Sequence, residues 1–279
     1  MRPRSGLIGT NNAPSFSSAG GVWTLREQEE SQRIKAWPVP FPAYISGLQL
    51  WLDGSDPLSM YDATSGGSLV AADAGVARWQ DKSGNGRHVI QATSGNRPLR
   101  RTAVKNGFGC LEFDGTNDLL ATSGNFPLTG NLATSVFVVY RKTAAAKGNT
   151  FGWGEMAFSL CAFGHYDDNT SNAIAFAGAN YFVMSATSNN TWYYMTVIKS
   201  AGAVNTTTTT RRNAVSVATS GHSTATPNVS ASPFYVGRWA NYDIAPFQGN
   251  IAEIIVYDTA VSATDRVSVE TYLSAKWGI

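Results

Sequence analysis

Residues 79–88 of the 279-residue chain read WQDKSGNGRH, an apolar ring followed by an acid, a base and a loop with two glycines. Glycine permits the positive φ values of a tight turn, and its N–H groups together with the basic side chains of the stretch favour a site for phosphate or an acidic sugar. However, neither the phosphate-binding pattern G-x-x-x-x-G-K-[ST] nor the dinucleotide pattern G-x-G-x-x-G is present. The other interpretation is a surface turn between two strands, in which Asp81 and Asn85 bond to their own backbone. The spacing favours the turn.

Short runs of β-branched and aromatic residues lie on both sides of this stretch and alternate with turn signals. Residues 135–141, SVFVVYR, form a continuous run that is typical of a strand buried on both faces. Residues 251–257, IAEIIVY, are a second strong strand candidate. About a dozen such runs, with no helical period between them, predict an all-β sandwich or barrel.

Only the end of the chain has the pattern of a longer helix. Ser262 is the expected N-cap, Asp265 lies in the first turn, and Gly278 is the expected C-terminal stop. One face of this helix carries the following residues: Val269, Tyr272, Leu273 and Trp277. We expect that face to dock on a sheet.

Composition and charge exclude several classes of function. Charged residues make up only 14% of the chain and the formal net charge is +2, so no general field favours nucleic acid or an anionic membrane. No apolar run is long enough to cross a bilayer, and the N-terminus lacks the apolar core of a signal peptide. These patterns predict a protein made in the cytoplasm, in which Cys110 and Cys161 are free thiols in strands.

Residues 1–43 differ from the rest of the chain, which predicts an N-terminal arm followed by one domain over residues 44–279. The arm begins rich in Gly, Ser and Asn and ends with WPVPFP. Its apolar residues are too sparse to form a core, so we expect it to be held by the body of this chain or, preferably, by neighbouring subunits. The residues expected to attach it are Trp23, Leu25, Ile34, Trp37 and Phe41.

Four segments of the domain together resemble the concanavalin A-like lectin and glucanase superfamily, in particular its laminin-G-like domains of bacteria and bacteriophages. They occur in family order and read LWLDGSD (50–56), WQDKSGNGRH (79–88), FDGTND (113–118) and FQGNIAEIIVYD (247–258). The closing helix before Lys276-Trp277-Gly278 also fits the family. This resemblance implies a jelly-roll sandwich of two antiparallel sheets.

The arm is similar to short segments of tailed-bacteriophage structural proteins, on the residues GVWTL (21–25), Glu27-Gln28 and Trp37-Pro38. That resemblance implies a virion protein whose arm docks on the particle or on sister subunits, with the sandwich displayed outward. It also implies a homo-oligomer whose other partners are virion proteins.

The residues give no support for catalysis, and we predict that the chain is not an enzyme. Glucanases of the superfamily carry E-x-D-x-E on one strand, which places three carboxylates on one face, and this chain has no such triplet. No G-x-S-x-G motif occurs, and the three histidines, His88, His165 and His222, are far apart in sequence. We also expect no cofactor.

Loop carboxylates and loop aromatics are the remaining candidates for binding. Asp81, Asp114 and Asp118 are candidate ligands for Ca²⁺, although aspartate before glycine is also what a turn requires. Sugar-binding sandwiches use aromatic rings beside polar groups, and we expect Trp51, Trp79 and Trp192 to fill the core instead. The candidates for sugar binding are Trp153, Tyr166, Asp168, Trp239, Asn241 and Tyr242.

Three functions therefore remain open at this point. A capsid decoration protein needs its arm buried against other chains, a receptor-binding tail lectin needs an exposed pocket of aromatic and polar groups, and a glycan depolymerase needs paired carboxylates in a groove. The sequence favours a structural, adhesive virion protein that binds host-surface glycan through its loops or its concave face.

Overall fold

A computed structural model describes residues 42–145, 148–155, 161–167, 172–176, 181–217, 219–220, 223–238 and 245–279. The chain divides into two compact units, Met1–Ser46 and Gly47–Ile279. Of the first unit, only residues 42–46 are described, and there the Ile45 N–H donates to the Pro42 carbonyl at 3.1 Å. The second unit holds all the strands and helices given below.

The second unit is built from two antiparallel sheets. The strands of the first sheet are β1 (Leu48–Asp53), β5 (Leu99–Lys105), β6 (Phe108–Asp114), β8 (Thr134–Lys142), β13 (Trp192–Lys199), β14 (Thr208–Arg212), β15 (Val215–Ser216) and β18 (Gln248–Tyr257). Those of the second sheet are β2 (Met60–Tyr61), β3 (Arg78–Trp79), β4 (Val89–Ile90), β7 (Leu120–Thr122), β9 (Gly148–Gly154), β10 (Ala162–Asp167), β11 (Asn172–Ala175), β12 (Tyr181–Met184), β16 (Thr219–Ser220) and β17 (Tyr235–Val236). Two helices, α1 (Val204–Thr207) and α2 (Ala263–Trp277), and two 3₁₀ turns, Pro57–Ser59 and Ser94–Asn96, complete the described part.

The strand order confirms the predicted two-sheet sandwich. The first sheet runs β15-β14-β13-β8-β18-β6-β5, with β1 also paired to β18, and the second runs β16-β12-β11-β10-β9-β17-β7-β4-β3-β2. Neighbours are antiparallel throughout these pairings. No helix of the described residues has the length and apolar character needed to span a bilayer.

One apolar core fills the space between the sheets, and strand alternation decides which side chains enter it. In β8, Val136, Val138 and Tyr140 join this core, while Arg141 points to the other face of the sheet. Trp153 of β9 enters the same core from the second sheet. We call the core side of each sheet its inner face and the opposite side its outer face.

The stretch at residues 79–88 is a structural turn, as its spacing favoured. Trp79 is fully buried in the core. The carboxylate of Asp81 accepts hydrogen bonds from the backbone N–H groups of Trp51, Ser83 and Arg87, at 2.8–3.0 Å. Asp81 thus closes the turn by holding its backbone N–H groups, as the turn interpretation predicts.

Helix α2 lies on the outer face of the first sheet and has the caps that the sequence predicts. The Ser262 hydroxyl accepts from the Asp265 N–H at 3.1 Å, and Gly278 adopts a left-handed φ of 62° that ends the helix. Val269, Leu273 and Trp277 of α2 are buried. The predicted docking face is therefore confirmed.

A buried carboxylate attaches α2 to the sheet. Glu253 of β18 is fully buried and accepts hydrogen bonds from the indole N–H groups of Trp51 and Trp277, at 2.9 and 2.8 Å. Its other donors are the Tyr272 hydroxyl and the Lys276 ammonium, both at 2.8 Å. Trp51 is thus buried, as predicted, but beneath the helix and not between the sheets.

The threonine run at residues 206–210 only partly forms the predicted strand. Thr206 and Thr207 belong to α1, and β14 begins at Thr208. A strand preference of threonine is weak enough to be overridden by packing, and here Val204 of α1 is buried in the core. Cys110 and Cys161 are not joined by a disulfide bond, as predicted; Cys110 lies in β6, and Cys161 immediately precedes β10.

Candidate glycan-binding site at the loop end

Several strands of both sheets begin or end at one end of the sandwich, which we call the loop end. In the first sheet, Arg141 near the end of β8 pairs with Trp192 at the start of β13 and with Asn250 near the start of β18. In the second sheet, Asp167 at the end of β10 pairs with Gly148 at the start of β9. Loops that leave these strands therefore emerge together.

A buried polar cluster, the Asp167 network, lies on the inner faces at the loop end. The Asp167 carboxylate accepts from the Lys142 ammonium at 3.0 Å and from the Tyr140 hydroxyl at 2.9 Å, and the Thr187 hydroxyl is its third donor. Asp167 and Lys142 are at most 1% exposed. Because a buried charge is costly without partners, this ion pair ties β8 of one sheet to β10 of the other.

His165 extends the Asp167 network and is held as a neutral base. Its Nε2 lies 3.1 Å from Asn172 Oδ1, and its Nδ1 lies 2.7 Å from the Thr150 hydroxyl. The oxygen of Asn172 accepts only, so Nε2 carries the proton and Nδ1 accepts from Thr150. Burial lowers the pKa of His165 to about 4, and burial also raises the pKa of the neighbouring Tyr140. All these groups are enclosed and hydrogen-bonded, so the Asp167 network positions strands and does not itself meet a ligand.

An aromatic and polar surface lies on the outer face of the first sheet at the same end. We call it the Trp192 patch, and it consists of Trp192, Arg141 and Asn250. The Trp192 ring is half-buried, and the Arg141 guanidinium carbon lies 5.3 Å from its centroid. Arg141 donates from Nε and Nη2 to Asn250 Oδ1, at 3.0 and 2.7 Å. The oriented guanidinium thus lies over one face of the half-buried ring.

Asn250 has a second feature that distinguishes the Trp192 patch. The residue is only 1% exposed, and its Nδ2 has no hydrogen-bond partner within the described residues. A buried amide that lacks one partner costs free energy, so most such groups are paired. Asn250 holds Arg141 in place at this cost.

A cleft of about 390 Å³ beside α2 is a less suitable candidate. Tyr194, Arg211 and Arg266 line it together with Glu270. The Glu270 carboxylate lies 3.2 Å from Arg211 and 2.6 Å from Arg266, so both arginines are already paired. The two guanidinium groups exceed the one carboxylate by one positive charge, but both are turned towards Glu270, and none of the described residues that line the cleft is a tryptophan.

The structure separates the two described members of the predicted sugar site. Trp153 is fully buried in the core, and its indole N–H donates to the Leu128 carbonyl at 2.8 Å. Tyr166 lies on the other face of the second sheet, in a small cluster with Ala162 and Tyr235. The prediction of a joint site is wrong for these two residues because the pleat of β9 and β10 directs their rings to opposite faces.

The other predicted ligand residues, Asp168, Trp239, Asn241 and Tyr242, lie outside the described residues, and so do the arm residues Trp23, Leu25, Ile34, Trp37 and Phe41. The positions that flank the loop at residues 239–244 are fixed at the loop end. Phe247 N–H donates to the Gly237 carbonyl at 2.7 Å, and Asn149 N–H donates to the Ala245 carbonyl at 3.0 Å. Asp168 directly follows Asp167, which pairs with Gly148 beside Asn149. The described residues that flank the two predicted loops, Asp167, Gly237 and Ala245, therefore lie beside the start of β9.

The three calcium candidates are engaged in turns. Asp81 closes its own turn, as described above, and Asp114 accepts from the Thr116 N–H at 2.7 Å. Asp118 accepts from the Asp114 N–H at 2.9 Å, and burial raises the pKa of Asp118 to about 6. Among the residues that the structure describes, no group of three or more His, Cys, Asp or Glu side chains could hold a metal ion.

The sequence predicts Trp192 in the core, but its ring is half-buried on the outer face of the first sheet. Arg141 and Asn250 are not among the residues that the sequence points to. One local signal was available, because Trp192 follows Asn189, Asn190 and Thr191, a polar turn that ends at a strand. Trp192 is the first residue of β13, so its ring lies at the edge of the packed region and is only partly covered. The partners Arg141 and Asn250 come from distant strands and had no such signal.

No family model and no curated protein matches the chain. Solved structures do share its fold. The sialidase of Trypanosoma rangeli in complex with sialic acid aligns with a TM-score of 0.55 and 11% identity, over 86% of this chain and 35% of the sialidase. The chain thus spans about a third of the length of that protein.

Two further structures align with a TM-score of 0.53. Domain 4 of a GH43 extracellular arabinanase from Geobacillus stearothermophilus, in complex with arabinotriose, matches at 14% identity over 80% of this chain and 98% of that domain. An arabinofuranosidase complexed with arabinofuranosyl-α-1,2-xylobiose matches at 18% identity over 84% of this chain and 60% of that protein. Together these matches establish a sandwich of the concanavalin A-like type.

These comparisons contradict our prediction that the chain is not an enzyme. The proteins that share its fold include a sialidase, an arabinanase and an arabinofuranosidase. At 11–18% identity such matches show the fold alone. The absence of an E-x-D-x-E triplet was therefore insufficient ground for excluding catalysis.

Proposed function

We propose that the sandwich binds carbohydrate at the Trp192 patch and that the chain is an adhesive structural protein of a bacteriophage particle. The observation that carries the binding proposal is the half-buried Trp192 ring beside the oriented Arg141 guanidinium. Sugar rings stack their C–H faces on aromatic side chains and form hydrogen bonds to planar polar groups at the rim. The loop end combines both kinds of group.

The comparisons support a carbohydrate role. Domain 4 of the arabinanase is matched over 98% of its length and was solved in complex with arabinotriose. The sialidase structure contains sialic acid. A fold that recurs in proteins of glycan chemistry makes a glycan the first ligand class to test on this chain.

The location on a particle rests on the resemblance of the four sandwich segments and the arm to phage proteins. In this proposal, residues 1–43 dock on other virion proteins or on sister subunits, and the sandwich is displayed to the host surface. Several copies on one particle would compensate for weak binding at each site, because linked sites act together. A capsid decoration protein and a receptor-binding tail lectin share this arrangement, and the second differs by having host recognition as its primary role.

The direct test is binding to a glycan array by the full chain and by the variant Trp192→Ala. We expect the variant to lose the signal for the glycans that the full chain binds, or to bind them about fivefold more weakly, because ring contacts of this kind are worth about 1 kcal/mol. Tyr61→Ala is the matched control. Tyr61 is also half-buried beneath a guanidinium, that of Arg78 at 4.2 Å, but it lies in β2 at the far edge of the second sheet.

Unchanged binding by Trp192→Ala, or equal losses in both variants, would contradict the proposed site. Trp239→Ala tests the neighbouring loop that the sequence pointed to, and a loss there alone would move the site to that loop. New reducing ends released from host polysaccharide in the same incubation would identify a hydrolase.

A further inference from the structure

The Trp192 patch contains an arginine whose charge is not neutralised. Within the described part of the chain, Arg141 forms no ion pair, and its hydrogen bonds are the two donated to Asn250 Oδ1. A guanidinium has five N–H groups, so most of its donors remain available. Among the described arginines, Arg101, Arg211 and Arg266 form ion pairs with carboxylates, whereas Arg141 belongs to the group that does not.

The acidic side chains around Arg141 are already engaged elsewhere. Asn250 pairs in register with Glu112 of β6, and Glu112 is bound to Arg101. Asp114, which is near it on β6, accepts from backbone N–H groups of its own turn. Inside the sandwich, Asp167 is paired with Lys142. None of these carboxylates forms an ion pair with Arg141.

A second arginine of the loop end has the same character. The Arg212 guanidinium lies 5.2 Å from the ring centroid of Tyr193, the residue after Trp192, and its donors bond to the backbone carbonyls of Ser185 and Ala186 and to the Ser185 hydroxyl. It forms no ion pair with a described side chain. Tyr193 packs against the inner core, so Arg212 lies on the opposite face of the sheet from Trp192 and is not part of the Trp192 patch.

Resting on the proposed function, we infer that the Trp192 patch selects glycans that carry carboxylate groups, such as polymers of uronic or sialic acids. The available groups at the patch are donors, namely the remaining N–H groups of Arg141, while Asn250 is buried beneath them. A carboxylate offers acceptors only, and its two oxygens match the fork of a guanidinium. The Trp192 ring supports the sugar while Arg141 binds its acid group.

Asn250 is a positioning residue in this arrangement. By accepting from both Nε and Nη2, its Oδ1 fixes the plane of the Arg141 guanidinium at the ring of Trp192. A fixed guanidinium loses less conformational entropy on binding than a mobile one.

The test compares matched polymers that differ only in charge. Polygalacturonate, alginate, hyaluronate and polysialate are each measured against the same polymer after its carboxyl groups have been reduced to alcohols. For the polymers that bind, we expect the full chain to bind the acidic form at least tenfold more tightly, and we expect added salt to reduce the difference. Arg141→Gln should bring the ratio of the two affinities close to one, whereas Trp192→Ala should weaken both forms.

Arg87→Gln is the matched control for charge. Arg87 also lacks an ion pair among the described residues, and its guanidinium donates only to the Gln49 carbonyl, at 2.9 Å. This variant should keep the full preference for the acidic forms. A loss of preference in Arg87→Gln with none in Arg141→Gln would overturn the inference.

The outcomes separate this inference from the proposed function. Equal binding of acidic and reduced forms, lost in Trp192→Ala, would overturn the charge preference and leave a neutral glycan site. Failure of every acidic, reduced and neutral glycan to bind would overturn both. Circular dichroism of each variant shows whether it is folded. Arg141→Lys keeps the positive charge but lacks the two-pronged guanidinium, so it should restore only part of the preference for acidic glycans.

Discussion

His165 is the residue in the Asp167 network whose protonation state differs most between the folded and unfolded chain. Burial lowers its pKa from 6.5 to about 4. Below pH 6.5, the unfolded chain therefore binds a proton that the folded chain does not. The free energy of unfolding should fall as the pH drops from 6.5 towards 4, by at most about 3 kcal/mol from this residue.

The measurement is urea unfolding at a series of pH values for the full chain and for His165→Gln. The His165 contribution makes the free energy of unfolding rise with pH between pH 4 and 6.5, so its removal should make the slope of the variant more negative than that of the full chain, whatever the absolute stability. Asp118 acts in the opposite direction, because its raised pKa stabilises the fold at low pH and this contribution is lost as the pH rises from 3.8 to about 6. Asp118→Asn should therefore steepen the slope, and parallel curves for the full chain and His165→Gln would contradict the assignment.

Single residues also show where prediction from sequence is limited. Asp81 could be assigned to a turn because all of its turn partners except Trp51 lie within six residues of it. The face on which Trp153 lies depends on which residues of β9 point inward, and the glycine-rich sequence of that strand leaves this undefined. The hydrogen-bond partners of a turn residue lie close to it in the chain, whereas the face on which a strand residue lies depends on the packing of the whole sheet.

At the scale of elements, Lys276 in the last turn of helix α2 attaches the helix to the first sheet. The Lys276 ammonium lies 2.7 Å from Asp53 and 2.8 Å from Glu253, and both carboxylates are at most 4% exposed. Lys276→Met would leave two buried acids without this cation. We expect the free energy of unfolding to fall by about 3–5 kcal/mol at pH 7, as for other broken buried ion pairs.

Lys105→Met is the control for this change in urea unfolding. Its ammonium donates to the Gly278 carbonyl at 3.0 Å in an exposed position, so the expected loss is within about 0.5 kcal/mol. Adding Glu253→Gln to Lys276→Met should recover part of the loss, since one buried charge is removed. Equal stabilities of the two lysine variants would show that Lys276 does not hold the helix.

The helix itself was predictable, but its attachment was not. Ser262 and Gly278 define its ends from within a few residues, and the spacing of Val269, Leu273 and Trp277 defines its buried face. The docking partners Asp53 and Glu253 lie 223 and 23 residues before Lys276. Such contacts depend on strand order, which periodicity in one segment does not contain.

At the scale of the whole molecule, the proposed roles of arm and sandwich predict that they are separable. Deletion of residues 1–43 should leave a folded sandwich whose free energy of unfolding changes by no more than about 1 kcal/mol, since residues 47–279 form a compact unit. The truncated chain should fail to enter particles and should sediment as a monomer. Normal incorporation of the truncated chain would contradict the attachment role of Trp23, Leu25, Ile34, Trp37 and Phe41.

The sequence by itself determined the β-rich class, the turn at residues 79–88, the closing helix and its caps, because each follows from hydrogen-bonding and packing preferences between residues close in the chain. Only the tertiary structure decided the candidate site. Arg141, Trp192 and Asn250 are at least 51 residues apart in sequence and meet because β8 lies between β13 and β18. Strand order is set by the joint burial of both sheets, and a surface assembled across strands cannot be read from any one of them.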